Sequence, residues 1–278
     1  MQERFRAHLL SLGLIGGDVS TSPLTLVGYS GGADSTCLLH LLHSVGANVV
    51  AAHLHHGQRK EADDEAEKCA EFCDSLGIPL VTGKADVPTL SRDLKIGLEE
   101  AGREARYRFF RQAALQVQAD WIATAHTRDD HTETILLHLV RGTGLTGLGG
   151  IPEVRDGIVR PLLPFSREET RTYCQEHRFW FHDDPANQDE QFARSRIRLR
   201  AMPELRTINP NVEASLLRFS QVVREEDDYL NGLAARALEG AEMPLNGELA
   251  FLTRDCEAAF DAAALTRWGN AIARRAVR

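Results

Sequence analysis

The sequence lacks the features of a membrane or exported protein. None of its apolar runs approaches the roughly 18 to 20 residues that a membrane-spanning helix needs. The first 17 residues carry Glu3 and His8 where a secretory signal would need an unbroken apolar core, so an amphipathic helix is expected there. We therefore expect a cytoplasmic protein without a membrane partner.

Cysteine is scarce, and its distribution argues against a disulfide framework. The chain has five cysteines in 278 residues, an odd number scattered along the sequence. Cys69 and Cys73 form the closest pair, and they lie on the apolar face of a predicted helix. A metal site would need two further soft ligands nearby, so we interpret both thiols as small buried hydrophobes.

An excess of basic residues is also lacking, because 32 Lys and Arg stand against 40 Asp and Glu, a net charge of −8. Any surface that binds nucleic acid must therefore be local. The segment 192–206 is the exception, with five arginines against Glu204 alone. A solvated helical face is one interpretation. Contact with nucleic-acid phosphates explains the missing acids better, and we favour it for Arg194, Arg196, Arg198 and Arg200.

Apolar periodicity predicts an α/β fold in the first part of the chain. Helical patterns at 34–45, 61–76, 99–118 and 129–141 alternate with short Val- and Ile-rich runs at 25–28, 48–54, 79–82, 121–125 and 157–162. This order predicts a doubly wound, mostly parallel sheet of about five strands with helices on both faces. A capping box predicts another helix from Ser166. The turn around Pro210 divides a domain 1–210 from a small all-helical domain 211–278.

The glycine turn "SGGADS", residues 30–35, follows the first predicted strand and opens a helix. Gly31 and Gly32 allow backbone N–H groups to approach an anion, and the helix N-terminus favours negative charge. The lysine of a Walker loop does not follow. Asp34 beside a phosphate requires a cation such as Mg²⁺ between them. A favourable charge in the first helical turn is an equally good explanation of Asp34.

Two further segments carry candidate site residues. Asp130 and Glu133 share one helical face with Thr134 and Arg141, near the end of a strand. They are normal partners of a helix dipole, but with His126 and His131 beside them they exceed what a cap needs. The glycine-rich stretch 141–150 is typical of a mobile loop or lid. Arg106 lies on the apolar stripe of its helix, where an anion partner is favoured over an internal ion pair.

These motifs resemble those of known enzymes. "SGGADS" is similar to the PP-loop of the N-type ATP pyrophosphatases. With "HLHHGQR" (53–59), "GREARYRFF" (102–110), "TAHTRDDHTETILLHLVRGTGLTGL" (124–148), "RPLL" (160–163) and "DDPANQDEQFARSRIR" (183–198), it resembles the tRNA(Ile)-lysidine synthetases over roughly residues 24–210. The departures are Pro185-Ala186, Ser195 and His131, where other residues are common in that family.

The resemblance implies an adenylation followed by a ligation. ATP would activate C2 of the wobble cytidine in tRNA(Ile) with a CAU anticodon, and free L-lysine would then displace AMP to form lysidine. Its implied ATP-binding residues are Ser30, Gly31, Gly32, Ala33, Asp34, Ser35 and His126. Its implied catalytic residues are Asp34, which would also hold Mg²⁺, and Arg106, Asp130, Glu133 and Arg198.

Two alternatives stay open. The related tRNA cytidine 2-thiolating enzymes carry similar motifs, but they also carry a Cys-x-x-Cys pair that this sequence lacks. A non-catalytic nucleotide-binding protein that kept the fold is the second alternative. The sequence is compatible with both a monomer and a homodimer.

Overall fold

The computed structural model describes residues 1–15, 22–55, 61–183, 192–245 and 257–277, with the side chains of 61–63 left aside. His56, Arg59, Pro185, Ala186 and Cys256, which the sequence analysis singled out, lie outside the described residues. Among the described helices, none combines the length and apolar character that crossing a membrane requires.

A six-stranded sheet forms the centre of the first part of the chain. Its strands are β1 Thr25–Gly28, β2 Val49–His55, β3 Leu80–Lys84, β4 Trp121–Ala123, β5 Val154–Arg155 and β6 Ile158–Val159. They lie in the order β3-β2-β1-β4-β6-β5, and every neighbouring pair is parallel except β5 with β6. Leu26 of the central strand β1 lies opposite Val50 and Ile122. The predicted doubly wound, mostly parallel sheet is confirmed, with one short antiparallel strand added at its edge.

Helices connect these strands and continue after them. They are α1 Gln2–Ser11, α2 Ala33–Ser44, α3 Glu61–Leu76, α4 Val87–Leu94, α5 Leu98–Val117, α6 Arg128–Val140, α7 Leu145–Leu148, α8 Arg167–Glu176, α9 Ala193–Arg196, a π-helical segment Ile197–Ala201, α10 Met202–Ile208, α11 Val212–Glu239, α12 Ala262–Thr266 and α13 Asn270–Ala276. The capping box at Ser166 is present: the Ser166 hydroxyl accepts the Glu169 N–H at 3.1 Å, and the Glu169 carboxylate accepts the Ser166 N–H at 2.7 Å.

Apolar layers cover both faces of the sheet, as the strand composition predicted. Val27 and its neighbours pack on one face against helices α1, α2, α3 and α8, where Cys69 and Cys73 are fully buried. Leu26 packs on the other face against α5. The α5 residue Phe110 approaches β1 so closely that a Cβ on Gly28 would lie 2.6 Å from its ring. Glycine at that position therefore lets the helix seat on the sheet.

The chain divides into two compact units, residues 1–137 with 151–213 and residues 138–150 with 214–278. The second unit has a small core around Ala237, Leu265 and Ile272, and its strands β7 Glu242–Met243 and β8 Ala259–Phe260 add an antiparallel pair to the predicted helices. The predicted mobile loop at 141–150 contains the helical turn α7, and the His138 ring N–H donates to the Gly147 carbonyl at 2.7 Å. The predicted domain limits, 1–210 and 211–278, stay a prediction.

Candidate active site

The turn at residues 30–35 joins β1 to α2 and is closed by its own serines. Gly31 has a left-handed φ of +78°, and a Cβ there would lie 2.9 Å from the Cys69 sulfur. The buried Ser35 hydroxyl donates to the Gly32 carbonyl at 2.9 Å and lies 3.1 Å from the Ser30 hydroxyl. Ser35 therefore shapes the turn, while Ser30 is exposed at its mouth. The first turn of α2, which includes Ala33, presents helix N–H groups toward an anion.

The segment after α8 returns to this turn. The His182 N–H donates to the Gly31 carbonyl at 2.8 Å, and Gly32 and His182 form an isolated parallel bridge. The ring of Trp180 stands beside the position a Gly31 Cβ would take. These contacts support the turn with residues that are distant in the sequence, so no local sequence pattern could predict them.

Asp34 points from the start of α2 toward α8. Its carboxylate accepts a hydrogen bond from the Thr170 hydroxyl and lies 3.9 Å from Nε of Arg167. Burial, followed by the negative charge of Asp130, raises the pKa of Asp34 to about 6. Asp34 therefore titrates close to neutral pH, and a nearby cation would favour its ionised form.

The two carboxylate oxygens of Asp130 have different hydrogen-bond partners. Oδ2 accepts the N–H and the hydroxyl of Thr127, at 2.8 and 2.9 Å, and so caps helix α6. Oδ1 faces the site and accepts a hydrogen bond from the Arg167 guanidinium at 2.9 Å. Burial alone would raise the pKa of Asp130, but the charges of Arg167 and Arg194 outweigh it and hold the pKa at about 2. The cap expected from the sequence is therefore present, and the role of Asp130 as a site carboxylate stays a prediction.

Arg167 lies between the carboxylates of Asp34 and Asp130, and it was not among the residues predicted for the site. As the first residue of α8 it donates its backbone N–H to Asp129 at 2.8 Å. Its side chain contacts Asp130, Glu133 and Asp34. One signal was available, because the capping box that starts α8 places an arginine at the first helical position. The charges across from that helix end were not visible in the sequence.

The arginine-rich segment splits into two sets. Arg194 and Arg198 turn inward and pair with the buried Glu133, with Nε–carboxylate distances of 3.2 and 2.7 Å. Arg196 and Arg200 are exposed on the other side of the segment. The four arginines therefore do not form a single outward stripe, because the i and i+4 positions face the acids of α6, and the expected contact with tRNA stays a prediction.

His126 lies at the end of β4, beside these groups. Its Nδ1 is 2.9 Å from the Thr124 hydroxyl. Burial, with the nearby Arg160, Arg194 and Arg103 and against the opposing charge of Asp130, lowers the pKa of His126 to about 4. The imidazole is therefore neutral at neutral pH, and it offers hydrogen bonds rather than charge.

Arg106 does not lie on the buried stripe of α5. The buried positions of that helix are Ala101, Ala105, Tyr107, Phe110, Ala113 and Ala114, whereas the Arg106 side chain is exposed. Within the described ranges it makes no hydrogen bond or ion pair. The buried stripe turns toward Ala105 and Tyr107 rather than through Arg106, but desolvation still lowers the pKa of the Arg106 guanidinium, and its role in the site stays a prediction.

A cavity of about 150 Å³ opens beside the ion pairs of the first unit. Its lining residues are Asp129, Thr132, Glu133, Arg167, Arg198, Met202 and Arg206. Both charge signs line its wall, so it suits a small zwitterionic molecule better than an apolar one.

The site therefore combines a glycine turn at a helix N-terminus with a carboxylate–arginine cluster at the carboxyl edge of a parallel sheet. Residues 5–205 match the PP-loop domain family. The chain belongs to this family.

Within the family, the sequence is similar to curated tRNA(Ile)-lysidine synthases. The relative from Clostridium tetani is 38% identical over 213 residues, which cover 74% of this chain and 46% of the relative. The relative from Dehalococcoides mccartyi is 37% identical over 85% of this chain and 52% of its own length. The relative from Petrotoga mobilis is 36% identical over 72% of this chain and 67% of its own length. The chain spans about half the length of the first two relatives.

A solved structure shares the fold. The U34-tRNA thiolase NcsA from Methanococcus maripaludis superimposes with a TM-score of 0.66 and covers 80% of this chain and 78% of its own, at 16% identity. At that identity the likeness concerns the fold alone.

Proposed function

We propose that this chain adenylates the wobble cytidine of tRNA(Ile) with a CAU anticodon and transfers free L-lysine to it. One observation carries the proposal: the PP-loop carboxylate Asp34 and the α6 carboxylate Asp130 face one another across the single guanidinium of Arg167. A site for nucleotide phosphates and a site for an ammonium group are thus adjacent. The names of the curated relatives supply the substrate.

The PP-loop would hold the phosphates of ATP. Glycine at 31 and 32 leaves room for phosphate oxygens, and the amides of Ala33 and Asp34 lie at the positive end of α2. The described residues contain no group of three or more acids, histidines or cysteines able to hold a metal ion. Mg²⁺ is usually bound by one or two carboxylates with substrate phosphates, so Asp34 alone fits it. When bound there, the ion would neutralise charge on the departing pyrophosphate.

The reaction then has two steps, and the proton that the lysine amine releases in the second one passes to solvent. The cytidine O2 attacks the α-phosphorus of ATP, and pyrophosphate leaves. The Nε of lysine attacks C2, the C2–O2 bond breaks, AMP departs with that oxygen, and the amine loses its proton. Because Asp130 stays ionised far below neutral pH, it would attract the lysine ammonium as a fixed charge and would be a weak proton acceptor.

The exposed arginines would contact the tRNA. Arg196 and Arg200 lie on the outer side of the segment whose inner side forms the site. Phosphate contacts there would position the anticodon loop while its cytidine is turned into the site. ATP and tRNA are both present in the cytoplasm, so the proposed reaction would take place there.

One assay tests the proposal. Release of AMP and pyrophosphate from labelled ATP is measured with tRNA(Ile) and with tRNA(Met), both bearing CAU, in the presence and absence of lysine. The expected result is pyrophosphate release with tRNA(Ile) alone and full AMP turnover after lysine is added. Equal AMP production without tRNA, or incorporation of sulfur instead of lysine, would contradict the proposal.

A further inference from the structure

Glu133 is surrounded by arginines. Its side chain is 2% exposed. Oε1 accepts hydrogen bonds from Nη1 of Arg167 at 3.1 Å and from Nε of Arg198 at 2.7 Å. Oε2 accepts hydrogen bonds from Nε of Arg194 at 3.2 Å and from Nη2 of Arg198 at 3.0 Å. Three guanidinium groups from two separate chain segments therefore meet on one carboxylate.

The acceptor capacity of Glu133 is thereby filled. An ionised carboxylate offers about four lone-pair positions on its two oxygens. All four are occupied in Glu133, so no position is left for a substrate ammonium group. Asp130 differs: two Thr127 donors fill Oδ2, whereas Oδ1 accepts one hydrogen bond, from Arg167, with the Arg194 guanidinium farther away at 3.9 Å. One acceptor position therefore remains on the side that faces the site.

We infer that Glu133 is a positioning residue that acts through Arg194 and Arg198, and that Asp130 is the carboxylate that contacts the substrate amine. The inference rests on the proposed function for its substrate, and on the contacts alone for its geometry. It assigns different roles to two carboxylates that lie one helical turn apart on the same face of α6.

The inward arginines anchor a whole segment. Arg194 belongs to α9 and Arg198 to the π-helical segment, so Glu133 ties residues 193–201 to α6. Arg194 adds hydrogen bonds to the Asp130 carbonyl and to the Thr134 hydroxyl, at 3.0 and 2.9 Å. The wider turn of a π-helix is a frequent feature of functional sites. Glu133 thus determines where the RNA-facing side of this segment stands.

Removing the charge of Glu133 should release the segment. Arg167 and Arg194 would keep Asp130 as a neighbouring acid, and the three guanidinium groups would repel one another in a largely desolvated place. Glu133→Gln retains the shape but not the charge. Asp130→Asn is the matched variant, because the main contact of Arg194 with residue 130 is to the backbone carbonyl, which the substitution keeps.

The experiment compares the two variants in two measurements. For Glu133→Gln, amide hydrogen exchange in 193–208 should rise at least about tenfold. Its tRNA-dependent pyrophosphate release without lysine should fall about 100-fold, as for loss of a preorganised charged group. For Asp130→Asn, exchange in 193–208 should rise no more than in the rest of the first unit, because its destabilisation is not confined to that segment, and pyrophosphate release should fall less than for Glu133→Gln, while the KM for lysine rises at least about tenfold.

The other outcomes of these measurements each test the inference or the proposed function. If Glu133→Gln keeps pyrophosphate release and raises only the KM for lysine, Glu133 contacts the amine and the inference is wrong. If the wild-type chain releases no pyrophosphate with either tRNA, the proposed function fails, and hydrogen exchange alone then confirms or rejects the anchoring role. If Glu133→Gln is unfolded, Arg198→Gln is measured in its place. The inference then requires that pyrophosphate release falls while the KM for lysine is unchanged. Unchanged release, or a raised KM for lysine, rejects the inference.

Discussion

Replacing Asp130 by asparagine should destabilise the first unit by an amount that depends on pH. The carboxylate is 16% exposed, and its pKa falls from 3.8 to about 2 on folding. A shift of nearly two units corresponds to about 2 kcal/mol at neutral pH. Loss of one partner of a buried ion pair costs about 3 to 5 kcal/mol in other proteins. The value of about 2 kcal/mol applies to Asp130→Asn, because Arg167 keeps its contact with Glu133 in that variant.

The sign of the pH dependence follows from the direction of the shift. A carboxylate with a lowered folded-state pKa stabilises the protein above its unfolded-state pKa, and this contribution is lost as the pH falls through the folded-state value. The wild type and Asp130→Asn should therefore differ by about 2 kcal/mol at pH 7 and by about 1 kcal/mol at pH 3, and should converge below pH 2.

Urea unfolding followed by tryptophan fluorescence provides the measurement. Trp121 and Trp180 lie in the first unit and Trp268 in the second, so a Trp268→Phe background isolates the unit of interest. Asp156→Asn serves as the control: its side chain is 78% exposed, and its left-handed backbone also suits asparagine. The control should change stability by less than about 0.5 kcal/mol at every pH. A difference for Asp130→Asn that is below that limit, or constant between pH 7 and 3, would refute the reasoning.

Two further changes test the elements that build the site. Ser166→Ala removes the cap that positions Arg167 and should lower the free energy of unfolding by about 1 kcal/mol. Thr172→Ala, in the same helix, is the control and should not lower it. Equal effects of the two variants in thermal melts would argue against the capping box. Gly31→Ala places a Cβ at a φ of +78° and 2.9 Å from a buried sulfur, so it should cost about 1 to 3 kcal/mol and weaken ATP binding measured by calorimetry. Gly97→Ala, at φ −62° with open space around it, is the matched control, and a tolerated Gly31→Ala would contradict the strained-turn geometry.

Much of the fold could be predicted because its signals are local. Strands buried on both faces require continuous apolar runs, and helices between them require the 3.6-residue period. The start of α8 was visible as a capping box, since its donors and acceptors lie within four residues. Three short elements were not predicted, because they bury too few residues for an apolar pattern to form. They are the two-residue strand β5, the helix α4 and the turn α7.

The candidate site could be predicted only in its chemistry. The glycine turn, the two carboxylates of α6 and the arginine-rich segment stand out in the sequence because their residue types and spacing suit phosphate and ammonium groups. Arg106 was misplaced, because a helical period identifies a stripe but not its edge, and one position of rotation moves a side chain from the core to the surface.

Local sequence patterns are sufficient to predict the doubly wound sheet, the glycine turn and the kinds of charge placed near it. Tertiary structure alone decided which charges meet: Arg167 between Asp34 and Asp130, and three arginines on Glu133. The physical reason is distance along the chain. These partners are separated by 34 to 133 positions, so their pairing depends on how whole helices pack, and a pattern within one helix carries no information about the helix opposite it.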